Sequence, residues 1–580
     1  MFISQEILAK ISWQAFERLV CRLLILEGYE DIRLVGQSHD QGADVLAHKF
    51  GKRWLFQVKR WSASAGLDVV DRTLTASQVY RAKIPAIVSL GGFADAVREH
   101  QRTLLSRQIN LQLWDRDELL RRGGLLVSKA PVEGKLVVRK YQEDAIQLIW
   151  RAYADRGSRK AMVVMATGLG KTVVAAEALR RLQAERAIHT LVLAHTNEIV
   201  YQLERAFWPF LKPSQDTLVW NGQERPSEER LASSTLTFAC IDSVFQYISN
   251  GGSLPEIELV VVDECHHAGA AMYSKVIADL RAGQEHGPFL LGLTATPWRQ
   301  DGNELDSLFG APLVTVDMLT GLRNGFLAEL DYRLYVDNIR WEALRRLKGS
   351  QFSPRYINRT LFISEWDDAV VHELAKAWKE VAHPRAIVFC GTIDHAITMR
   401  DRLNALGICN AAAIYSGTKG GRAMSAIDRN RILSDFHDGT VQAICAVDIF
   451  NEGVDVPDVN LIVFQRVTHS RRIFVQQLGR GLRIAPDKAK VVVLDFVSDV
   501  RRFAAGIDLK DSLAKEGNVN QTGPVRVKLN HKVSFRRVGG EDPASEVFLR
   551  QWLDDVAAIE EAAEDSSVLK FPPPLGGRIE

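Results

Sequence analysis

Met165-Ala166-Thr167-Gly168-Leu169-Gly170-Lys171-Thr172 closes the apolar run at 161–165, which reads as a buried strand. The turn Thr167, Gly168, Leu169, Gly170 lets successive backbone N–H groups wrap a phosphate. Lys171 is then expected at the terminal phosphates of a nucleotide and Thr172 on its Mg2+. Met165 stands where the usual pattern has its first glycine, so this stretch needs support. Asp263-Glu264-Cys265-His266 supplies it, following a second apolar run at 258–262. Asp263 is expected at the C-terminal edge of a sheet, beside the phosphates, and Glu264 is expected to orient water. The two stretches in this order imply a motor driven by ATP.

With 580 residues and 46% hydrophobic content, the chain suits several globular domains with proper cores. Lys and Arg number 73 against 71 Asp and Glu. Net charge therefore gives no argument for nucleic acid, and any such contact has to come from local basic patches. Cys21, Cys240, Cys265, Cys390, Cys409 and Cys445 are scattered without a close pair. That pattern speaks against a cysteine zinc site or a disulfide framework and for reduced, buried thiols. The start carries no apolar core with a cleavage site, and no uninterrupted apolar stretch approaches the ~18 residues of a membrane span. A cytoplasmic protein without membrane contact is expected.

Beyond the phosphate turn, apolar segments at 191–194, 235–239, 259–262 and 289–293 alternate with helical ones, the mark of a parallel α/β sheet. A second set follows at 386–389, 411–414, 441–446, 461–464 and 491–494. Two stacked α/β lobes are implied. Nucleotide bound on one lobe calls for positive charge from the other. Gln476-Gln477-Leu478-Gly479-Arg480-Gly481-Leu482-Arg483 fits, since Arg480 and Arg483 share a face or a turn and a guanidinium fork suits phosphate oxygens better than lysine does.

In its ordered motifs the stretch 135–500 resembles helicase superfamily 2. Arg139, Tyr141 and Gln142 are similar to the entry motif that reads adenine; 166–172 and 263–266 resemble motifs I and II. Thr294-Ala295-Thr296-Pro297 resembles the motif that couples hydrolysis to lobe movement. The segment at 387–391 resembles motif IV, 451–457 with Gly453 and Asp455 motif V, and Gln476, Gly479, Arg480 and Arg483 motif VI. The resemblance implies two RecA-like lobes and ATP-dependent movement along nucleic acid, with 194–202 and 237–244 near its backbone. His266 is expected in the coupling machinery.

The first 130 residues carry other chemistry. Trp13, Phe16, Leu19, Val20, Leu23 and Leu24 are spaced as one helix face, and Gly28 is placed to end that helix. The segments 39–47 and 54–61 then read as neighbouring strands. Gln57 and Lys59, two apart, share a face that Asp44 can join. A divalent ion held by Asp44, Gln57 and a backbone carbonyl would activate water against a phosphodiester, with Lys59 steadying charge and Glu17 completing the shell. Alternation of polar and apolar residues on a half-exposed strand would give the same pattern. The wider pattern over about 10–125, with Phe16-Glu17, Gly28-Tyr29, Asp40, Gly42, Asp44 and Gln57-Val58-Lys59-Arg60-Trp61, resembles the Mrr-type restriction endonuclease domain of the PD-(D/E)xK fold. Gln57 stands where many related nucleases place an acid. The weaker field of an amide leads us to expect Mn2+ to support activity better than Mg2+.

The expected organisation is α/β throughout: a restriction-endonuclease-like domain at 1–128, a nucleotide-binding lobe at 129–325, a connector or accessory segment at 326–370, a second lobe at 371–510, and a tail at 511–580. Gly123, Gly124, Pro131 and Gly134 suggest a hinge between nuclease and motor. Arg333, Arg340, Arg345, Arg346, Lys348 and Arg355 belong either to a DNA-touching element or to a solvated connector. Arg526, Lys528, Lys532, Arg536 and Arg537 alternate with apolar residues, giving a strand face able to line phosphates. A packing helix at 543–564 and a disordered terminus with Pro572, Pro573 and Pro574 are expected after it. The implied activity is a DNA-dependent ATPase, translocase or helicase joined to a metal-dependent endonuclease. Its expected needs are ATP with Mg2+, Mg2+ or Mn2+ at the nuclease, and DNA, double-stranded, with partner subunits of a microbial defence system possible. Two alternatives stay open, a non-cleaving DNA-binding or partner-recruiting module at the N-terminus and an RNA remodeller. Oligomeric state is not legible.

Overall fold

The computed structural model describes residues 2–35, 43–128, 138–155, 159–269, 271–295, 305–316, 318–335, 364–415, 424–447, 459–465, 482, 484, 488, 490–496, 526–529 and 533–538. Among them are three separate α/β sheets.

The N-terminal sheet runs Glu30–Leu34, Val45–Lys49, Lys52–Lys59, Ile84–Ser89, Gln112–Trp114, with the first two pairings antiparallel and the last two parallel. Phe50 and Gly51 both have positive φ, 52° and 68°. That is the two-residue hairpin turn whose twist matches its strands. The helix Trp13–Leu26 starts on Ser12, whose side chain accepts from Ala15 N, and ends before Gly28 at φ 81°. Phe16, Leu19, Val20, Leu23 and Leu24 are buried in the same cluster as Val45, Ala47, Phe56 and Val58. Trp13 departs from the predicted apolar face. It is the first helical residue, beyond the covered stripe, and stays 56% exposed.

The sheet of the first lobe is wholly parallel, in the order Pro312–Val316, Lys160–Met165, Phe289–Thr294, Leu259–Val262, Thr190–Ala194, Leu236–Cys240, Leu218–Trp220. Its inner strands are buried end to end, as helices on both faces require. The sheet of the second lobe is ordered Ala411–Tyr415, Ala443–Val447, Ala386–Phe389, Leu461–Phe464, Lys490–Phe496, Glu329–Tyr335, Val533–Val538, Arg526–Leu529. All its pairings are parallel except the closing hairpin.

This sheet corrects two expected boundaries. The segment 326–370 is not a connector apart from the lobes, because Glu329–Tyr335 is hydrogen-bonded between Lys490–Phe496 and Val533–Val538. The helix Ser364–Glu380 likewise runs across the expected border. Within the expected tail, Arg526–Leu529 and Val533–Val538 belong to the same sheet. Charge hid the strand: Asp331 and Arg333 are both buried, and Asp331 accepts from Arg333 and, at 2.8 Å, from Lys490. Arg333 is thus committed to Asp331 and Glu380 rather than offered to DNA. The short strands 218–220 and 312–316 had not been anticipated.

The N-terminal domain rests on both lobes. On the first, Arg18 is buried between Glu204, at 2.8 Å, and Glu224. Arg22 donates to the carbonyls of Gln215 and Lys212, and Arg205 to that of Ile32. On the second, Arg53 reaches Asp435, at 2.9 Å, and Asp438.

Candidate functional site

Lys160–Met165 and Leu259–Val262 flank Phe289–Thr294, so both sequence stretches leave the same edge of one sheet. Gly168 and Gly170 have φ of 92° and 85°, a left-handed region that favours glycine. Gly170 caps the helix Lys171–Glu185 with no side chain, leaving the first-turn N–H groups to an anion. Tyr141 Oη and Gln142 Nε2 both donate to Leu169 O, at 2.9 and 2.8 Å, and Gln142 Oε1 accepts from Arg139 N. Arg139 donates to Phe326 O, and Phe326 stacks on Tyr141 with centroids 4.2 Å apart. Residues expected at adenine therefore grip the phosphate turn. Thr167 and Gly168 lie in that turn and Thr172 in the helix's first turn.

Lys171 Nζ lies 3.2 Å from Glu264 Oε1, closing the two stretches on each other. Glu264 is held at φ 46°, a conformation uncommon for a residue with a side chain. Its other carboxylate oxygen is 3.2 Å from His266 Nδ1, which lies 3.1 Å from Thr294 Oγ1. Burial works against the Glu264 charge, but Lys171 and His266 outweigh it and hold this carboxyl well below the usual range. Its neighbour goes the other way. Burial first, then the charge of Glu264, pushes Asp263 up to about 7. Asp263 Oδ1 is buried with no hydrogen-bond partner among the described residues. A buried carboxylate oxygen beside a lysine and the Thr172 turn suits a hard cation such as Mg2+.

In the N-terminal sheet the pairing with Lys52–Lys59 ends at Val45 opposite Phe56, and Asp44 N also donates to Phe56 O at 3.0 Å, which holds Asp44 beside the end of that strand. Asp44 is buried, and its Oδ2 accepts from Val58 N at 2.6 Å and from Lys59 Nζ at 3.4 Å. Burial, partly offset by Lys59, raises its pKa. Lys59 Nζ also lies over the half-exposed Trp61 ring. Gln57 is buried, and its Oε1 accepts from Thr73 Oγ1. The donor set of carboxylate, amide and backbone carbonyl oxygens is that of a hard divalent ion. Glu17 sits on Trp13–Leu26, the helix that covers the Val45, Phe56 and Val58 face.

Gly453, Asp455, Gln476, Arg480 and Arg483 lie outside the described residues, as do Asp40, Gly42, Thr296, Pro297, Pro131 and Gly134 of the expected hinge, and Arg340, Arg345, Arg346, Lys348 and Arg355; Gly123 and Gly124 of that hinge lie instead within the helix Arg116–Ser128. The expected helix at 543–564 and the proline run after it lie outside them too.

Residues 135–299 match the family described as type III restriction enzyme, res subunit, and residues 368–485 the helicase conserved C-terminal domain. Residues 8–122 match the restriction endonuclease family of the Mrr catalytic type. The chain joins an Mrr-type restriction endonuclease domain to a superfamily 2 helicase motor.

Curated relatives of this motor include irc3 of Schizosaccharomyces pombe, a proposed mitochondrial ATP-dependent helicase. It is 26% identical over 64% of the chain and 59% of its own length. The DNA 3'-5' translocase XPB2 of Sulfurisphaera tokodaii is 25% identical over 62% of the chain and 82% of its own length. The type I restriction enzyme EcoAI endonuclease subunit of Escherichia coli is 27% identical over 63% of the chain and 47% of its own length. The matched part of the chain thus spans 59% of irc3 and 47% of the EcoAI subunit. No described helix is long and apolar enough to cross a membrane.

Sequence reasoning missed the residues that seat the Mrr-type domain on the motor. Arg18 and Arg22 gave one usable signal, two arginines four apart among the apolar residues of an amphipathic helix. Asp435 and Asp438 gave none.

Proposed function

We propose that this protein is a DNA-dependent ATPase that translocates on double-stranded DNA and carries a metal-dependent endonuclease, acting in prokaryotic restriction or anti-phage defence. The observation that carries the motor reading is the 3.2 Å contact between Lys171 and Glu264, which joins phosphate turn and water-orienting acid at one sheet edge. In this reading Thr172 and Asp263 hold Mg2+, which neutralises phosphate charge when bound. Lys171 leaves Glu264 for the terminal phosphates, and Glu264, kept ionised, orients water. Gln142 and Tyr141 hold the phosphate turn through Leu169, with Arg139 placed toward the base. Gly453, Asp455, Gln476, Arg480 and Arg483 complete the site from the second lobe.

At the nuclease, Asp44, Gln57 and a backbone carbonyl would hold a divalent ion, joined by Glu17, and that ion would supply an activated water. Lys59, already on Asp44, steadies the developing phosphate charge. DNA rather than RNA is supported by the Mrr-type domain and by a relative named as a DNA translocase. Partner subunits and a defence role are supported by likeness to a subunit of a type I restriction enzyme. The bond between Gln57 and Thr73 favours a second reading, in which the amide is occupied and the domain binds DNA without cutting it.

Plasmid cleavage with Mg2+ or Mn2+, with and without ATP, on methylated and unmethylated DNA separates the two. Cleavage lost in Lys59→Ala and altered in Lys171→Ala establishes an ATP-coupled nuclease. DNA-stimulated ATPase without any cleavage establishes the binding module. Stimulation by RNA in preference to DNA would overturn both.

A further inference from the structure

Where the Mrr-type domain rests on the second lobe, potential metal ligands from both bodies converge. Asp31 and His48 stand on the paired strands Glu30–Leu34 and Val45–Lys49, and His437 is the last residue of the helix Ala426–His437. One ligand atom of each lies within 4.8 Å of the other two. His48 Nδ1 is 3.6 Å from Asp31 Oδ2. That is long for a hydrogen bond but near the roughly 3.3 Å separating two ligands of a tetrahedral ion with ~2.0 Å bonds. His48 is 6% exposed, and its Nδ1 has no hydrogen-bond partner among the described residues. The His48 and His437 rings lie 4.7 Å apart.

The surroundings suit a ligand set. Asp31 is oriented by Arg33, whose Nη2 is 2.6 Å from Oδ1 and whose Nε donates to Oδ2 at 3.0 Å. His48 Nε2 faces Asp438 Oδ2 at 4.0 Å. Arg53 Nε donates to the same Nε2 at 3.4 Å, so an ion on Nδ1 would move the ring proton to Nε2 and displace this bond, while the Nη groups of the guanidinium keep Tyr80 O, Asp435 and Asp438 as acceptors. Asp31, Asp435 and Asp438 face Arg33, Arg53 and, at the rim, the exposed Arg81, so the cluster carries no excess of positive charge from these pairs.

We propose that Asp31, His48 and His437 form a site for a divalent transition-metal ion of the Zn2+ type, completed by water, that fastens the Mrr-type domain to the second lobe. Two imidazoles and one carboxylate select this class over Mg2+ or Ca2+, which take oxygen ligands. The Mrr-type domain is also held to the first lobe through Arg18. An ion at this joint therefore closes a bridge across both lobes and restrains their relative motion. That consequence rests on the motor reading; the site itself does not.

The full-length protein, stripped with chelator, is titrated with Zn2+ against a chromophoric chelator and with Co2+ followed by visible absorption. One tight ion per chain is expected, with the Co2+ spectrum of a four-coordinate site. His48→Gln and His437→Ala should each weaken it by more than the roughly 10- to 100-fold carried by groups that only orient a ligand. His437 is only partly buried at a helix end, so its variant keeps the fold. Hydrogen exchange in Ala426–His437 should slow on adding Zn2+ to the wild type and not to His437→Ala. Equal Zn2+ affinity in wild type and His437→Ala, or no tight ion in the wild type, overturns the proposal. Neither readout depends on ATPase or nuclease activity, so the function proposed above can fail while this site stands.

Discussion

Arg18→Met offers a quantitative test of how the Mrr-type domain is seated. Methionine keeps the stem's packing and removes the charge. Arg18, Glu204 and Glu224 are all buried, the first two to 6% and 1% exposure. Glu204 retains Thr217 Oγ1 and Glu224 retains Tyr201 Oη and the backbone N of Glu224 stays with Asn221, but no cation replaces the guanidinium. Breaking a buried pair by removing one partner costs about 3–5 kcal/mol, because the charge left behind is uncompensated. Hydrogen exchange in the helix Trp13–Leu26, which opens when this contact is lost, should accelerate by about 10^2 to 10^3.5-fold, a decade for each ~1.4 kcal/mol.

The deficit should depend on pH with a definite sign. Burial already raises the pKa of Glu224 from 4.5 against the pull of Arg18, and losing the arginine raises it further. A carboxyl whose folded pKa exceeds its unfolded one holds a proton in the folded state that the unfolded state has released. Stability then falls as pH rises through the folded pKa and returns as pH drops. The loss should be greatest near pH 8 and shrink toward pH 5. Glu204→Gln and Glu224→Gln added to Arg18→Met should restore much of it at pH 8. A loss under about 1 kcal/mol, the range of exposed pairs, or one that grows on acidification, would refute the reasoning.

Gly170→Ala should weaken Mg-ATP binding about tenfold or more. Left-handed backbone costs a side chain about 1–2 kcal/mol, and the new Cβ would stand 2.5 Å from Gln142 Nε2, displacing it from Leu169 O; nucleotide titration by calorimetry checks this. Arg480→Ala should bind nucleotide yet lose about 10^3 to 10^5 in DNA-stimulated hydrolysis, as for other arginines that complete phosphoryl-transfer sites. Near-normal turnover in that variant overturns its assignment. Arg333→Met should destabilise the second lobe by about 3 kcal/mol, since the fully buried Asp331 loses the Arg333 guanidinium. Exchange protection in Glu329–Tyr335 measures it, and wild-type protection there would count against a structural role for the pair.

Much of the molecule was legible because its information is local. The glycines at 168 and 170 need a left-handed turn wherever the chain goes, and an apolar run ending in Asp263-Glu264 announces a buried strand with its acids at one end. Asp44 and Lys59 lie on neighbouring strands and meet, as the short spacing of the two segments suggests, whereas the partner of Gln57, Thr73, comes from a later helix. The strand at 329–335 was illegible for the opposite reason. Its Asp331 and Arg333 read as solvent-facing until Lys490 and Glu380, distant in sequence, neutralise them.

By itself, then, the sequence determined the α/β lobes, the phosphate turn and the polar set of the Mrr-type domain, all products of nearest-neighbour geometry and hydrophobic period. Only the tertiary structure decided that Lys171 meets Glu264, that Gln142 and Tyr141 clamp Leu169, and that Arg18 and Arg53 seat one domain across two lobes. Those contacts join residues far apart along the chain. A charged side chain shows its role there only once burial has stripped its water and left protein partners to replace it.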